Sequence, residues 1–453
     1  MIFDTQLVRV QGFNFQRISD SMMHHSNYPE DLSRAGLEAR QSEKLQLLLQ
    51  TVIPANPFWT QKYSVAGVDI ASIKSVHDLH KLPLTTKQEL VLDQDQAPPY
   101  GTNLSYPLED FKRCHQTSGT TGRPMSWLDT EESWNWFKEC WEQSFRIAGV
   151  GTDERLMFPF SFGPFVGFWA AFEGACVRGN FVVAAGGMSS EARLEMIARH
   201  RPTVLCCTPT YAMRLAEVAQ QNQIPIEHSS VKTIIVAGEP GGSVPATRYK
   251  LESAWGARVI DHWGMTDIGP LAIESETDPG HLLVLESECI AEVIEPQTGK
   301  QVAVGSVGEL VITNLGRYGM PVIRYRTGDL VRVTMGMNPC GRALKKLEGG
   351  VLGRVDDMIT IRGNNLFPSS LESLIREHPE INEFRVTIDA RQTLHQLRIE
   401  LEPVTISPES QSCLKKIEKA VKDRMNFHAE ILLVQPGTLP RFEMKAKRFQ
   451  RLT

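Results

Sequence analysis

Between residues 37 and 53 apolar positions recur every three to four residues among charged ones, the period of an amphipathic helix. His77 to Leu90 breaks that rhythm around Pro83 and predicts turns with a short helix. "PTVLCCTP" (Pro202 to Pro209) is an apolar run bounded by prolines, which predicts a strand. Tyr211 to Asn222 returns to helical spacing, and "VKTIIVAGEPGG" (Val231 to Gly242) is a strand running into a glycine turn. Strand, helix and strand in this order predict α/β architecture with parallel strands.

The pattern changes from about Gly280 to Val333, where β-branched residues alternate with turns. Short strands in a small barrel or a distorted sheet are expected there. The last hundred residues differ again. "SSLESLIREHPEI" predicts a capped helix with Leu371, Leu374 and Ile375 on one face. "FRVTI" and "QLRIELEP" read as strands. "QSCLKKIEKAVKDRM" reads as a helix with Leu414, Ile417 and Val421 inward and its lysines in solvent. The glycines of "GGVLGRVDDM" (Gly349 to Met358) mark the passage from the β region to this α+β tail. One apolar stretch, Phe158 to Val177, is interrupted by Pro159, Pro164 and Glu173, so a buried helix with its lead-in loop is expected rather than a membrane span.

Composition narrows the class. A chain of 453 residues can build one large core and a smaller domain. A formal net charge of -5 argues against a general nucleic-acid binder. The eight cysteines are scattered and form no dense disulfide pattern, so a reducing cytoplasm is expected. The first residues show no basic region followed by an apolar stretch.

The densest chemistry lies in "HQTSGTTGRP" (His115 to Pro124). Small residues let the backbone approach a polyanion and turn its N–H groups inward as a nest. Thr117, Ser118, Thr120 and Thr121 add hydroxyls and Arg123 a fixed positive charge, which suits phosphate oxygens. The Walker pattern is not met. On its own the stretch reads equally as a polar turn.

Further pieces follow: "AGEP" (Ala237 to Pro240), "DHWGMTDIGP" (Asp261 to Pro270), "RYRTGDL" (Arg324 to Leu330), "GRVDDMITIRGNNLFPSSLE" (Gly353 to Glu372) and "GTLPRFEMKAKRF" (Gly437 to Phe449). In this order and spacing the chain resembles the adenylate-forming enzyme superfamily over nearly its whole length, and most of all its phenylacetate–CoA ligase-like members. "NPFWTQKY" and "LPLTTKQEL" resemble the family's N-terminal region. The resemblance implies a large α/β N-terminal domain with a small β region, residues 1–353, and a small mobile α+β C-terminal domain, residues 354–453. It implies two steps: ATP and a carboxylic acid give an acyl-adenylate, and the thiol of CoA then takes the acyl group and releases AMP.

By resemblance, Thr117, Ser118, Gly119, Thr120, Thr121 and Gly122 form the phosphate loop, with Arg123 at its usual lysine. Gly238, Glu239 and Pro240 line the adenine. Trp263 stands at an aromatic position that is usually tyrosine, where an indole can also stack. Thr266 and Asp267 match a Thr/Ser-Glu pair whose acidic member is associated with Mg²⁺. Asp329 takes the ribose hydroxyls, to which a carboxylate offers acceptors on both oxygens. Arg354 binds nucleotide beside the hinge residue Asp356. Lys445 bridges acid and phosphate during adenylation, with Met444 where the family has glycine. Phe160, Phe162, Phe165 and Tyr211 are candidate walls for an aromatic acid, and each reads equally as core packing.

Nearest relatives carry a structural zinc. Here Ser275 and Asn338 stand at two of its cysteine positions, leaving His281 and Cys340. Two ligands do not close a tetrahedral site, so no zinc is expected there. The implied partners are a small carboxylic acid and CoA, with a carrier protein or an amine as alternative acceptors. Neither nucleic acid nor a membrane span is expected, and relatives are often homodimers. A nucleotide-binding regulatory protein without catalysis is the remaining alternative, given Arg123, Asp267 and Met444.

Overall fold

The computed structural model describes residues 28–117, 124–355, 359–361, 364–366, 368–389, 396–425, 429–442 and 446–452. Helices α1 (Arg34–Ala55), α2 (Pro57–Val65) and α3 (Lys87–Gln96) precede an antiparallel hairpin of β1 (Phe111–Gln116) and β2 (Ser126–Thr130). Then α4 (Glu131–Ile147), β3 (Arg155–Phe158), α5 (Trp169–Val177), β4 (Phe181–Ala184), α6 (Ser190–His200), β5 (Val204–Cys207), α7 (Pro209–Gln221), β6 (Thr233–Ala237), α8 (Pro245–Trp255) and β7 (Arg258–Met265) alternate. The five strands pair in parallel in the order β4-β3-β5-β6-β7.

Side-chain alternation along these strands sorts two cores. Leu156, Phe158, Val204, Cys206, Ile235 and Ile260 face α4 and α5. Met157, Leu205, Cys207, Ile234, Val236 and Val259 face α6, α7 and α8. The apolar stretch before residue 177 forms α5 and its lead-in, as expected. No helix among the described residues is long and apolar enough to cross a membrane.

The sheet continues through β8 (Gly269–Glu274) and β9 (Leu282–Val284), which run antiparallel. Next come β10 (Cys289–Ile294), β11 (Val307–Asn314), β12 (Tyr325–Thr334), β13 (Lys346–Leu347) and β14 (Gly353–Arg354). Because β13 pairs with both β9 and β12, this β region is an extension of the main sheet rather than a separate barrel.

The tail holds β15 (Ile359–Ile361), β16 (Asn364–Leu366), α9 (Pro368–Arg376), β17 (Ile381–Asp389), β18 (Gln396–Pro403), α10 (Pro408–Met425), β19 (Glu430–Leu433) and β20 (Phe449–Leu452). Four of these strands form a sheet of their own, β19-β18-β17-β20, over a third core. Leu371, Leu374 and Ile375 of α9 are buried, as their spacing predicts. On α10 the stripe differs: Cys413, Ile417 and Val421 are buried while Leu414 is only half-buried. Its lysines 415, 416, 419 and 422 are exposed. A four-residue step from Ile417 back to Cys413 keeps one helix face, and the thiol is small enough to sit against the sheet.

Candidate active site

The candidate residues gather where β5, β6 and β7 end, the edge at which open α/β sheets bind ligands. Gly238 follows β6 with φ +94, a conformation that an L side chain resists. Gly264 sits at a register break in β7, where a Cβ would come within 2.7 Å of the Gly269 carbonyl oxygen.

Trp263 is 9% exposed and donates its indole N–H to Asp329 Oδ2 at 2.8 Å. Arg354 donates to the other oxygen of Asp329 at 3.0 Å, across the β12–β14 pairing. Trp263 and Arg354 thus each hold one oxygen of the Asp329 carboxylate. Alternation explains the "RYRTGDL" strand. Arg324 and Arg326 turn to Glu292 and Glu309, while Tyr325, Thr327 and Asp329 face the buried side.

Asp267 is 1% exposed, so it is no idle surface carboxylate. Its Oδ2 accepts from the Tyr325 hydroxyl at 2.7 Å, with Lys87 Nζ 3.9 Å away. Burial first, and then the neighbouring Asp267, push the Tyr325 phenol well above its ordinary pKa, so it remains a donor. The backbone carbonyls of Thr266 and Asp267 are gripped by Arg317 at 2.8 and 3.2 Å, and Arg317 makes a bidentate pair with Asp129 at 2.8 Å. Both partners are fully buried. Lys87, Asp129, Arg317 and Tyr325 escaped sequence reasoning. Their signals were present but dispersed: Lys87 in "LPLTTKQEL", Tyr325 in "RYRTGDL", and Arg317 between two glycines.

Thr117 closes the neck of the β1–β2 hairpin. Its N–H reaches Met125 O at 2.9 Å and its hydroxyl accepts from Met125 N at 3.0 Å. Ser118, Gly119, Thr120, Thr121, Gly122 and Arg123 lie outside the described residues, as do Asp356 and Lys445. Beside this neck, Gln116 N–H reaches Pro164 O at 2.6 Å, which brings the phenylalanine segment against the base of the β1–β2 hairpin. Phe160 meets Phe162 and Phe165 edge to face at 5.7 and 5.5 Å. Tyr211 is not brought to them. It is 1% exposed in the core on the opposite sheet face, with its hydroxyl 3.1 Å from Ser190 Oγ and its ring under Arg193.

The C-terminal tail lies against this edge. Glu239 Oε1 accepts from Thr210 N at the start of α7, and its Oε2 accepts from Ala446 N, each at 2.9 Å. Among the tail's cations, Arg448 is taken up by Glu383 and Glu372, and Lys447 is exposed.

At the positions where the resemblance would place zinc ligands, three side chains are hydrogen-bonded. Asn338 Nδ2 donates to the carbonyls of Arg342 and Leu344 at 2.9 and 2.8 Å, Ser275 Oγ accepts from Thr277 N at 3.3 Å, and His281 Nδ1 accepts from Gly349 N at 3.0 Å.

Residues 80–317 match the model of the AMP-binding enzymes, and residues 363–451 match the AMP-binding enzyme C-terminal domain. The phenylacetate-coenzyme A ligase of Thermus thermophilus is 30% identical over 434 residues, covering 91% of this chain and 96% of that protein. The Escherichia coli phenylacetate-coenzyme A ligase is also 30% identical, over 91% of this chain and 94% of that one. Among solved structures, 2-hydroxyisobutyryl-CoA ligase in its postadenylation state with 2-HIB-AMP aligns with a TM-score of 0.88 at 26% identity, covering 95% of this chain and 94% of that chain. The same enzyme in its thioesterification state with CoA aligns with a TM-score of 0.71, at 26% identity over 97% and 96% of the two chains. The overall match is thus higher to the postadenylation structure than to the thioesterification structure of that enzyme.

Proposed function

The chain belongs to the adenylate-forming AMP-binding enzymes, and from that premise we propose how its own residues carry the reaction. It is an AMP-forming acid–thiol ligase: a carboxylic acid is activated by ATP to an acyl-adenylate, and CoA takes the acyl group. The observation that carries the residue assignment is the contact of Trp263 and Arg354 with the two oxygens of Asp329 at the sheet's carboxyl edge. Asp329 receives the ribose hydroxyls, and Trp263 and Arg354 hold its carboxylate in place. Gly238 to Pro240 border the adenine, and Thr117 anchors the phosphate loop that Arg123 completes. Lys445 offsets charge between acid and phosphate as pyrophosphate leaves.

Asp267 has donor chemistry suited to Mg²⁺, but Tyr325 occupies one oxygen and Lys87 stands near it, which favours contact through water. Bound there, Mg²⁺ would neutralise phosphate charge. Lys87 and Arg317 position that acidic turn. The zinc positions do not fit a metal, since Asn338 and Ser275 are engaged in hydrogen bonds. A protein purified without chelator should carry no zinc bound to His281 and Cys340. The division between domains falls at 353/354, next to the Asp329–Arg354 contact, with Asp356 as hinge. The acid is aromatic or otherwise flat, and Phe160, Phe162 and Phe165 form its wall, supported by their edge-to-face packing beside the phosphate loop's base.

The test is acid-dependent pyrophosphate exchange over a panel of carboxylic acids, with AMP release read with and without CoA. Exchange with a flat aromatic acid and CoA-dependent AMP release are expected. No exchange with any acid would refute catalysis, and AMP release indifferent to CoA would transfer the acyl group to a carrier protein or an amine.

A further inference from the structure

We propose that His378, Glu380 and Cys413 form a metal site in the C-terminal domain, for a divalent transition ion such as zinc. Each offers one ligand atom, and these atoms all lie within 4.8 Å of one another. Among the described residues no other group of three or more such side chains has this geometry. His378 and Glu380 stand on the turn between α9 and β17, and Cys413 projects from α10, so the donors come from separate elements that the fold brings together.

The three differ in ways that matter for binding. Cys413 is fully buried, at the inward position where the sequence pattern alone points to Leu414. Glu380 Oε2 is shut off from water and has no hydrogen-bond partner, a costly state for a carboxylate oxygen. His378 is half-buried and offers an imidazole nitrogen, a common metal ligand. Nitrogen, oxygen and sulfur in one set suit zinc, which takes all three and leaves a fourth position for water on the partly exposed side. Zinc-to-ligand distances of about 2.0–2.3 Å place tetrahedral ligand atoms roughly 3.3–3.8 Å apart. The cluster therefore needs to close by about 1 Å, within reach of side-chain torsions.

Binding displaces the Cys413 thiol proton to solvent as the sulfur–metal bond forms, while the carboxylate and imidazole donate lone pairs. The cluster thereby loses its net negative charge. Lys250 on α8 feels this change, because its Nζ lies 3.1 Å from Ile381 O and 3.5 Å from His378 O. The site thus touches the face where the tail sheet meets the larger domain.

The experiment titrates chelator-stripped, full-length protein with Co²⁺ and follows the thiolate-to-cobalt charge-transfer band in the near ultraviolet. One equivalent should give the band together with visible absorption of a four-coordinate ion. Cys413→Ser should abolish the band and Cys340→Ser should preserve it. His378→Ala should weaken binding by at least about tenfold. No band at saturating Co²⁺, or a band that survives Cys413→Ser, overturns the proposal. If Cys413→Ser fails to fold, His378→Ala decides: unchanged Co²⁺ affinity in that folded variant overturns it equally.

Discussion

Glu239→Gln separates the two half-reactions. Glu239 holds two backbone N–H groups, one at the start of α7 and one at Ala446, immediately after Lys445. A glutamine keeps one acceptor oxygen and presents an NH₂ to the other donor, so one charge-assisted bond is lost. The Thr210 bond is local and is favoured by the helix N-terminus, so the amide oxygen stays there and the tail is released. A hydrogen bond to a charged group contributes about 1.5–3 kcal/mol, which corresponds to roughly 10- to 150-fold in an equilibrium. Adenylation kcat/KM, read by pyrophosphate exchange with an active acid, should fall within that range. Thioester formation from supplied acyl-adenylate and CoA should change little if, as we propose, that step draws on a different domain arrangement. The melting temperature should also hold, since the N-terminus of α7 remains capped by Thr208. If Glu239 acted mainly through its place beside the adenine, the supplied acyl-adenylate, which carries the same base, would lose turnover as well. Equal losses in both half-reactions, or adenylation at the parent rate, would refute the latch.

Lys445→Ala should lower adenylation at least about a hundredfold and spare the thioester step, while Lys447→Ala, on an exposed side chain, keeps most activity in both assays. Arg317→Met leaves Asp129 buried without its partner and should cost about 3–5 kcal/mol in urea unfolding, with Asp129→Leu/Arg317→Met recovering most of the loss. His262 stacks on Trp141 at 4.1 Å with both ring nitrogens buried and unpartnered, and burial pushes its pKa down to about 3. Between its unfolded pKa and that value only the unfolded chain takes the proton, so stability falls with acid by about 1.4 kcal/mol per pH unit. His262→Phe should remove that slope. Asp261 and Glu274, which burial raises to about 6 and about 7, act in the opposite sense but are common to both proteins and cancel in the difference. An unchanged gap between variant and parent from pH 6.5 down to 4.5 would refute this account.

Apolar runs bounded by turns made the parallel strands legible, and helical periodicity the tail helices, because burial of one face is all that a period records. It could not separate Cys413 from Leu414, adjacent residues whose order depends on the phase of a helix against its sheet. Nor could it show that the β region joins the main sheet, since the two-residue strand β13 makes that junction and two residues carry no period. The resemblance singled out Trp263, Asp267 and Asp329, and in the fold Trp263 bonds to Asp329 while Asp267 bonds to Tyr325. It gave Tyr211 two readings, and the parity of the sheet faces separates that ring from the phenylalanines. What stayed hidden were the residues that act on other residues. Arg317 meets Asp129 across 188 positions of chain, and Glu239 meets Ala446 across 207. Such pairs leave no local pattern, because each member is chosen for a partner supplied only by the tertiary fold. Arg448 is spent on Glu383 and Glu372, and Lys447 faces solvent. The role proposed for Lys445 comes from the resemblance, and the Glu239 contact to Ala446, the very next residue, is the observation that supports it.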